Sequence, residues 1–126
     1  MRRPSLSADT WLYFPQAEPA ITRAYEAKNF DPSLAPAGET VVCIENTAPA
    51  GDAELRRNDT EVAADYIGRL AATGLFAPGE VDHREVHRVD KAYPLYLVGY
   101  EENLERIWAG LRAVRNLIPL GRQGLF

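Results

Sequence analysis

The sequence predicts an α+β fold: a largely antiparallel sheet with two amphipathic helices on one face, in the order βββαβαβ. Three strand-like runs with short links fill residues 9–46, and strands joined in this way favour antiparallel pairing. From Asn58 onward, the apolar period changes from two residues to the helical 3.6. A chain of 126 residues has the length of a single domain, which we expect to span residues 1–126.

The first three strands are predicted at residues 9–15, 20–30 and 40–46. The first, "DTWLYFP", is rich in aromatic residues and is stopped by a proline. The second alternates, with Arg23 and Tyr25 on the side opposite Ala24 and Glu26. Two prolines and a glycine make residues 31–39 a loop, and "TVVCIEN" after it has the strongest strand character in the chain.

The first helix is predicted from Asn58, which suits a helix cap, to Gly74, which suits a helix end. Its apolar residues recur with helical spacing at Val62, Tyr66, Ile67 and Leu70. The second helix is predicted over residues 101–115, with acidic residues in its first turn and arginines in its last. Its apolar stripe consists of Leu104, Ile107, Trp108, Leu111 and Val114.

Two further strands complete the predicted order. Residues 79–94 carry valines at 81, 86 and 89 with imperfect alternation, so we expect a strand that contains a bulge. The last strand is the short apolar run within "NLIPLGRQGLF", residues 116–126, which leads into a glycine-rich turn.

Composition excludes several functional classes. A net charge of −4, with scattered basic residues, argues against nucleic-acid binding. No run approaches eighteen consecutive apolar residues, so we expect no membrane span and a cytoplasmic protein. The single cysteine, Cys43, lies among apolar neighbours and is predicted to be a small buried residue rather than a nucleophile or a metal ligand.

Local motifs provide no complete active site. The chain has no G-x-G-x-x-G, no phosphate-binding G-x-x-x-x-G-K-[ST] and no G-x-S-x-G. "HREVH" at residues 83–87 has its glutamate in the wrong place for a zinc-protease motif, and on a strand its histidines would lie about 13 Å apart. We therefore predict solvent-facing histidines and no metal site.

Two arginines and three tyrosines leave alternatives open. Arg23 could hold a phosphate or carboxylate with two hydrogen bonds, or it could pack its stem on the sheet with its head in water. Arg122 has the same two interpretations, although its flanking glycines permit close approach of backbone to a ligand. The tyrosines at 93, 96 and 100 are typical of core or interface aromatic residues.

Several segments together resemble one enzyme family. "DTWLYFP", "TRAYEAKNF", "PSLAPAGET", "KAYPLY", "GYEENLERI" and "GRQGLF" occur in this order. In order and spacing they resemble segments of flavin-dependent amine-oxidase-like oxidoreductases, especially the branch related to protoporphyrinogen oxidase and UDP-galactopyranose mutase. The resemblance extends from about Asp9 to Phe126. It implies that the chain corresponds to the later, substrate-binding part of such an enzyme, whose cofactor is FAD.

The resemblance also implies roles for individual residues. Gly121, Arg122 and Gly124 match the family's turn beside the flavin. Arg23 matches an arginine that holds the diphosphate of a nucleotide sugar in the mutase relatives, and Tyr13 and Tyr25 would line the substrate side with it. The mutase pattern is incomplete, because "GDAELRRND" lacks its tyrosines. Leu97 stands where relatives often have an aspartate.

Two functions of different classes follow. In the first, the chain is the substrate-binding domain or fragment of an FAD-dependent oxidoreductase acting on a small molecule, and it is not catalytic alone because the glycine-rich FAD-binding βαβ unit is missing from these residues. A nucleotide-sugar mutase-like flavoenzyme is a variant of this hypothesis. In the second, the chain is a stand-alone α+β module that binds a partner or forms a homodimer through an exposed apolar face. No catalytic residue is predicted in either case.

Overall fold

The structure is a computed structural model that describes residues 1–17 and 20–125, apart from the side chain of Gln123. The chain divides into two compact units, Met1–Arg88 and Val89–Phe126. Each unit is described by itself, and the single domain expected over residues 1–126 stays a prediction. No helix in the described part of the chain is long and apolar enough to cross a bilayer.

The first unit contains a three-stranded antiparallel sheet, which confirms the predicted α+β class. Its strands are β1 (Trp11–Tyr13), β2 (Arg23–Glu26) and β3 (Val42–Glu45), in the order β1-β2-β3. Each strand is shorter than its predicted run. β2 ends where the chain tightens into a 3₁₀ turn at Ala27–Asn29, and a second 3₁₀ turn at Pro32–Leu34 lies in the predicted loop.

Alternation along β2 gives the sheet two different faces. Ala24 and Glu26 are buried on the inner face, whereas Arg23 and Tyr25 lie on the opposite face. The inner face packs on a core of Leu6, Ile21, Ala24, Leu70 and Phe76. We call the other face the open face, and it carries most of the predicted substrate-binding residues.

Helix α1 (Asp59–Ala71) covers the core of the first unit. The Asn58 side chain accepts a hydrogen bond from the backbone N–H of Thr60 at 2.9 Å, so the predicted N-cap is confirmed. Gly74, three residues beyond the helix end, has the left-handed φ of +83° that the sequence anticipates. Leu70 is fully buried and connects the last turn of α1 to Ala24 in the core.

A buried carboxylate holds the edges of this unit together. Glu26 lies on the inner face at the end of β2 and is only 1% exposed. Five residues donate hydrogen bonds to it: Leu6 and Ser7 through backbone N–H groups, and Ser5, Asn29 and Thr40 through side chains. The shortest, from the Thr40 hydroxyl, is 2.6 Å. The charge is therefore compensated by donors that come from three separate segments.

The strand predicted over residues 79–94 is wrong. A 3₁₀ turn occupies Pro78–Glu80, and the described backbone after it forms no regular element before α2. A strand needs a neighbour for its hydrogen-bond ladder, and here side chains anchor the segment instead. Arg2 pairs with Asp82, and Arg88 pairs with Asp59 while donating to the carbonyl of Arg57.

The second unit contains α2 (Tyr100–Leu111) and a short helix, α3 (Arg122–Leu125). α2 begins one residue before the predicted helix and ends four residues earlier, at Leu111. The strand predicted in the short apolar run of residues 116–126 is wrong, because the described residues there form no strand. α3 lies in the predicted glycine-rich turn, where the N–H groups of Gly124 and Leu125 both bond the carbonyl of Gly121. Since α2 lies in the second unit, its predicted place on the sheet stays untested.

We expect Glu26→Gln to destabilise the protein by about 2–3 kcal/mol at neutral pH, because an amide NH₂ would then face several buried donors. Burial alone raises the pKa of Glu26, but the hydrogen bonds from Thr40, Ser7, Leu6 and Ser5 outweigh it and lower the pKa. A lowered pKa means that this stability is present above the unfolded value of about 4.3 and is lost as pH falls through the folded pKa.

Urea unfolding followed by circular dichroism, at neutral pH and at about pH 3, tests this expectation. The difference between wild type and Glu26→Gln should shrink at the lower pH. Glu39→Gln is the matched control, because Glu39 is exposed and its change should stay within about 0.5 kcal/mol. A Glu26→Gln effect that is equally large at both pH values would contradict the role assigned to the carboxylate.

Candidate ligand-binding site

The open face of the sheet brings three predicted residues together. Tyr13 is paired with Arg23 across the β1–β2 ladder, and Tyr25 lies two residues further along β2. Residues on adjacent strands that are directly opposite each other have side chains on the same face. The predicted substrate-side set of Arg23, Tyr13 and Tyr25 therefore occupies one surface.

The register adds residues that the sequence did not identify as part of the site. Trp11 is paired with Tyr25, which is paired in turn with Cys43 on β3. Arg23 is paired with Glu45 on its other side. Trp11 could have been found from its position two residues before Tyr13 on the same strand. Glu45 could not, because its partner depends on the β2–β3 register.

Three aromatic rings form a packed cluster on this face. The ring centroids of Trp11 and Tyr25 are 4.8 Å apart, and Phe30 lies 5.8 Å from each of them in edge-on orientation. Such edge-to-face contacts are favourable beyond simple burial. Phe30 is 55% exposed and Trp11 is 36% exposed, so the cluster presents an apolar surface to solvent.

Arg23 is held against this cluster by three kinds of contact. The centre of its guanidinium lies 4.4 Å from the centroid of the Trp11 ring, a cation–π distance. Its Nη1 donates to the hydroxyl of Tyr13 at 3.4 Å. Its Nε forms an ion pair with Glu45. The side chain packs on the sheet, and its Nε pairs with a carboxylate of the chain itself, whereas the binding of a ligand by Arg23 stays a prediction.

Tyr25 is a hydrogen-bonding group and not a base. Its hydrogen bond with Cys43, then burial, then the charges of Cys43 and Glu45 raise its pKa to about 12, against a lowering effect of Arg23. The phenol is therefore protonated at neutral pH. Cys43 is half-buried beside it, so the burial predicted for this residue is only partial.

The residues predicted to contact flavin lie in the second unit. Gly121 has a left-handed φ of +68°, and the guanidinium of Arg122 lies 4.3 Å from the centroid of the Tyr93 ring. A Cβ at Gly124 would come within 3.1 Å of Pro119. Gly121 thus has a backbone conformation that favours glycine, and a side chain at Gly124 would need Pro119 to shift slightly. The assignment of both glycines to the cofactor stays a prediction.

The histidines of "HREVH" share one carboxylate. Nε2 of His83 lies 2.9 Å from Glu85 Oε1, and Nε2 of His87 lies 3.1 Å from Glu85 Oε2. The hydrogen bonds from His83 and His87 lower the pKa of Glu85. Both histidines are 79% exposed, as predicted. Within the described residues, no group of three or more His, Cys, Asp or Glu side chains is placed to hold a metal ion.

Comparison with protein-family models, with curated proteins and with solved structures gives no match to this chain. The resemblance to flavin-dependent oxidoreductases therefore depends on the sequence segments quoted above.

We expect the Arg23–Glu45 pair to contribute a coupling free energy of about 0.5–1 kcal/mol, because the two side chains are partly exposed. A double-mutant cycle of Arg23→Gln and Glu45→Gln, followed by urea unfolding, measures it. The coupling should decrease at about 1 M salt, which screens exposed charges.

The Arg2–Asp82 pair provides the control cycle. The Arg2 side chain is 78% exposed, against 21% for Arg23, and its pair should show coupling close to zero. Equal coupling in the two pairs would mean that the open face does not hold Arg23 in place.

Proposed function

We propose that this chain supplies the substrate-binding sheet of an FAD-dependent amine-oxidase-like oxidoreductase, and that the open face contacts a small-molecule substrate. One observation carries the proposal: Arg23, Tyr13 and Tyr25, which the resemblance assigns to the substrate side, lie on one face of the sheet. Arg23 and Tyr25 share this face because they alternate along β2, and the register of the β1–β2 pair adds Tyr13 to them.

The chemistry of the open face favours a ligand with a flat apolar part and an anionic group. The rings of Trp11, Tyr25 and Phe30 offer a stacking surface. Arg23 lies beside them with its guanidinium plane held over Trp11, which lowers the entropy lost when it binds a carboxylate or phosphate. An anionic ligand must compete with Glu45 for this guanidinium.

FAD, when bound, would supply the redox chemistry of such an enzyme. The open face would orient the substrate and exclude water from one of its sides, while the Tyr25 hydroxyl, protonated at neutral pH, would donate a hydrogen bond. We assign no catalytic residue within this chain.

The nucleotide-sugar variant of the proposal receives less support. A diphosphate carries at least two negative charges and needs several cations. Arg57, in the segment that replaces the tyrosine-rich stretch of the mutase pattern, already pairs with Glu54 and Asp65, and Arg56 donates to the carbonyl of Gly51. Arg23 thus provides one cation, which suits a single carboxylate better than a diphosphate.

Two simple anions test the proposal. We expect benzoate, a flat ring with one carboxylate, to shift the amide and side-chain NMR signals of Trp11, Arg23 and Tyr25. Arg23→Gln should weaken benzoate binding by about ten- to a hundredfold, the effect of losing a charged hydrogen bond. Glu45→Gln should strengthen it, because the competing carboxylate is removed. Pyrophosphate should bind more weakly than benzoate.

Arg84→Gln is the matched control, since Arg84 is an exposed arginine in the same unit and lies outside the open face. Binding of benzoate that is insensitive to Arg23→Gln would contradict the proposed site. Tighter binding of pyrophosphate than of benzoate, with the same dependence on Arg23, would favour the nucleotide-sugar variant. Incubation with FAD followed by gel filtration and an absorbance scan tests the flavin assignment separately, with Arg122→Gln expected to reduce the retained flavin.

A further inference from the structure

The described residues of the second unit leave an apolar face of α2 partly exposed. We call this face the α2 stripe: Leu104, Ile107, Trp108, Leu111 and Val114. No residue of Tyr100–Leu111 is buried, and Ile107 is 54% exposed. The segment just before the helix adds exposed apolar side chains at Leu95, Leu97 and Val98. Contiguous apolar surface of this kind usually marks an interaction site.

Charges beside the α2 stripe are separated along the helix. The first turns carry three acidic residues, Glu101, Glu102 and Glu105. The helix end and the turn after it carry Arg112 and Arg115. Arg106, in the middle, lies four residues after Glu102, a spacing that favours a pair within the same helix. The stripe is thus flanked by negative charge at one end and by positive charge at the other.

This arrangement is complementary to itself in only one orientation. If two α2 helices lie antiparallel, with a twofold axis near Ile107, then Glu101 of one copy lies opposite Arg112 of the other. A parallel pair would place like charges side by side, which is unfavourable. The helix dipoles also oppose each other in the antiparallel pair.

We propose that the α2 stripe binds the α2 stripe of a second copy of this chain, in an antiparallel pair about a twofold axis. The apolar residues provide the driving force, and the charges select the partner and its orientation. Trp108 is suited to this interface, because its indole N–H already donates to the carbonyl of Gly124 at 3.2 Å and its half-buried ring lies 6.0 Å from the Arg112 guanidinium. The proposal concerns the second unit and does not depend on the substrate site.

Two charge-reversed variants test the pairing on the full chain. Glu101→Arg makes both ends of the stripe basic, and Arg112→Glu makes both ends acidic. Sedimentation equilibrium should show a dimer for the wild-type chain and at least a tenfold weaker association, about 1.4 kcal/mol, for each variant alone. An equimolar mixture of the two variants should associate again, because their charges are complementary.

The mixture also controls for misfolding, since two damaged helices would not recover association when combined. Circular dichroism of each variant should retain the helix signal. A wild-type chain that stays monomeric at high concentration would overturn the proposal, whether or not it binds vesicles or another protein through the α2 stripe. Unchanged association in both variants would also overturn it.

Cysteine cross-linking tests the orientation. In a Cys43→Ala background, Glu101→Cys and Arg112→Cys should form disulfides when the two variants are mixed, and not when each is oxidised alone. Both positions are exposed, so the substitutions should leave the unit folded. Efficient cross-linking of either variant with itself would indicate a parallel pair and would overturn the antiparallel arrangement.

Discussion

The Glu26 carboxylate is the constraint on which the first unit depends. A buried negative charge is tolerated only when donors surround it, and here the donors come from residues 5–7, from Asn29 and from Thr40. These residues lie outside the three strands of the sheet. The carboxylate therefore binds both the segment that precedes β1 and the segment that precedes β3, and it holds the two segments together at one point.

The same carboxylate determines what the open face displays. Once Glu26 points inward, alternation directs Tyr25 and Arg23 outward, and the register then places Trp11, Cys43 and Glu45 beside them. A shift of one residue in β2 would bury the guanidinium and expose Ala24. In β2, the buried residues Ala24 and Glu26 thus alternate with the candidate binding residues Arg23 and Tyr25. A change of register would therefore move both pairs to the opposite face.

Much of the first unit could be predicted from sequence because its signals are local. The aromatic and β-branched runs indicated the three strands, and Asn58 and Gly74 marked the ends of the α1 region. Four of the five donors to Glu26 could not be predicted, since they lie 14 to 21 residues away in sequence and join only after folding. For the same reason the candidate site was incomplete: Arg23, Tyr13 and Tyr25 were identified, whereas Glu45 depends on pairing with β3.

The incorrect strands failed for a different physical reason. The valines of residues 79–94 have strand propensity, but propensity needs a neighbouring strand, and this segment is held by arginine and aspartate side chains instead. Within residues 116–125 the left-handed Gly121 precedes a helical turn, and a side chain at Gly124 would crowd Pro119. These glycines thus have a conformational role in the turn, and their role beside a flavin stays a prediction.

The two tryptophans of the chain are divided between the units, with Trp11 under the Arg23 guanidinium and Trp108 bonded to the Gly124 carbonyl. Replacing one of them by phenylalanine would leave a single indole whose emission reports on one unit only. The protein therefore carries an internal pair of optical probes, and overlaying the two melting curves would reveal whether the halves lose their structure in one cooperative event or in two.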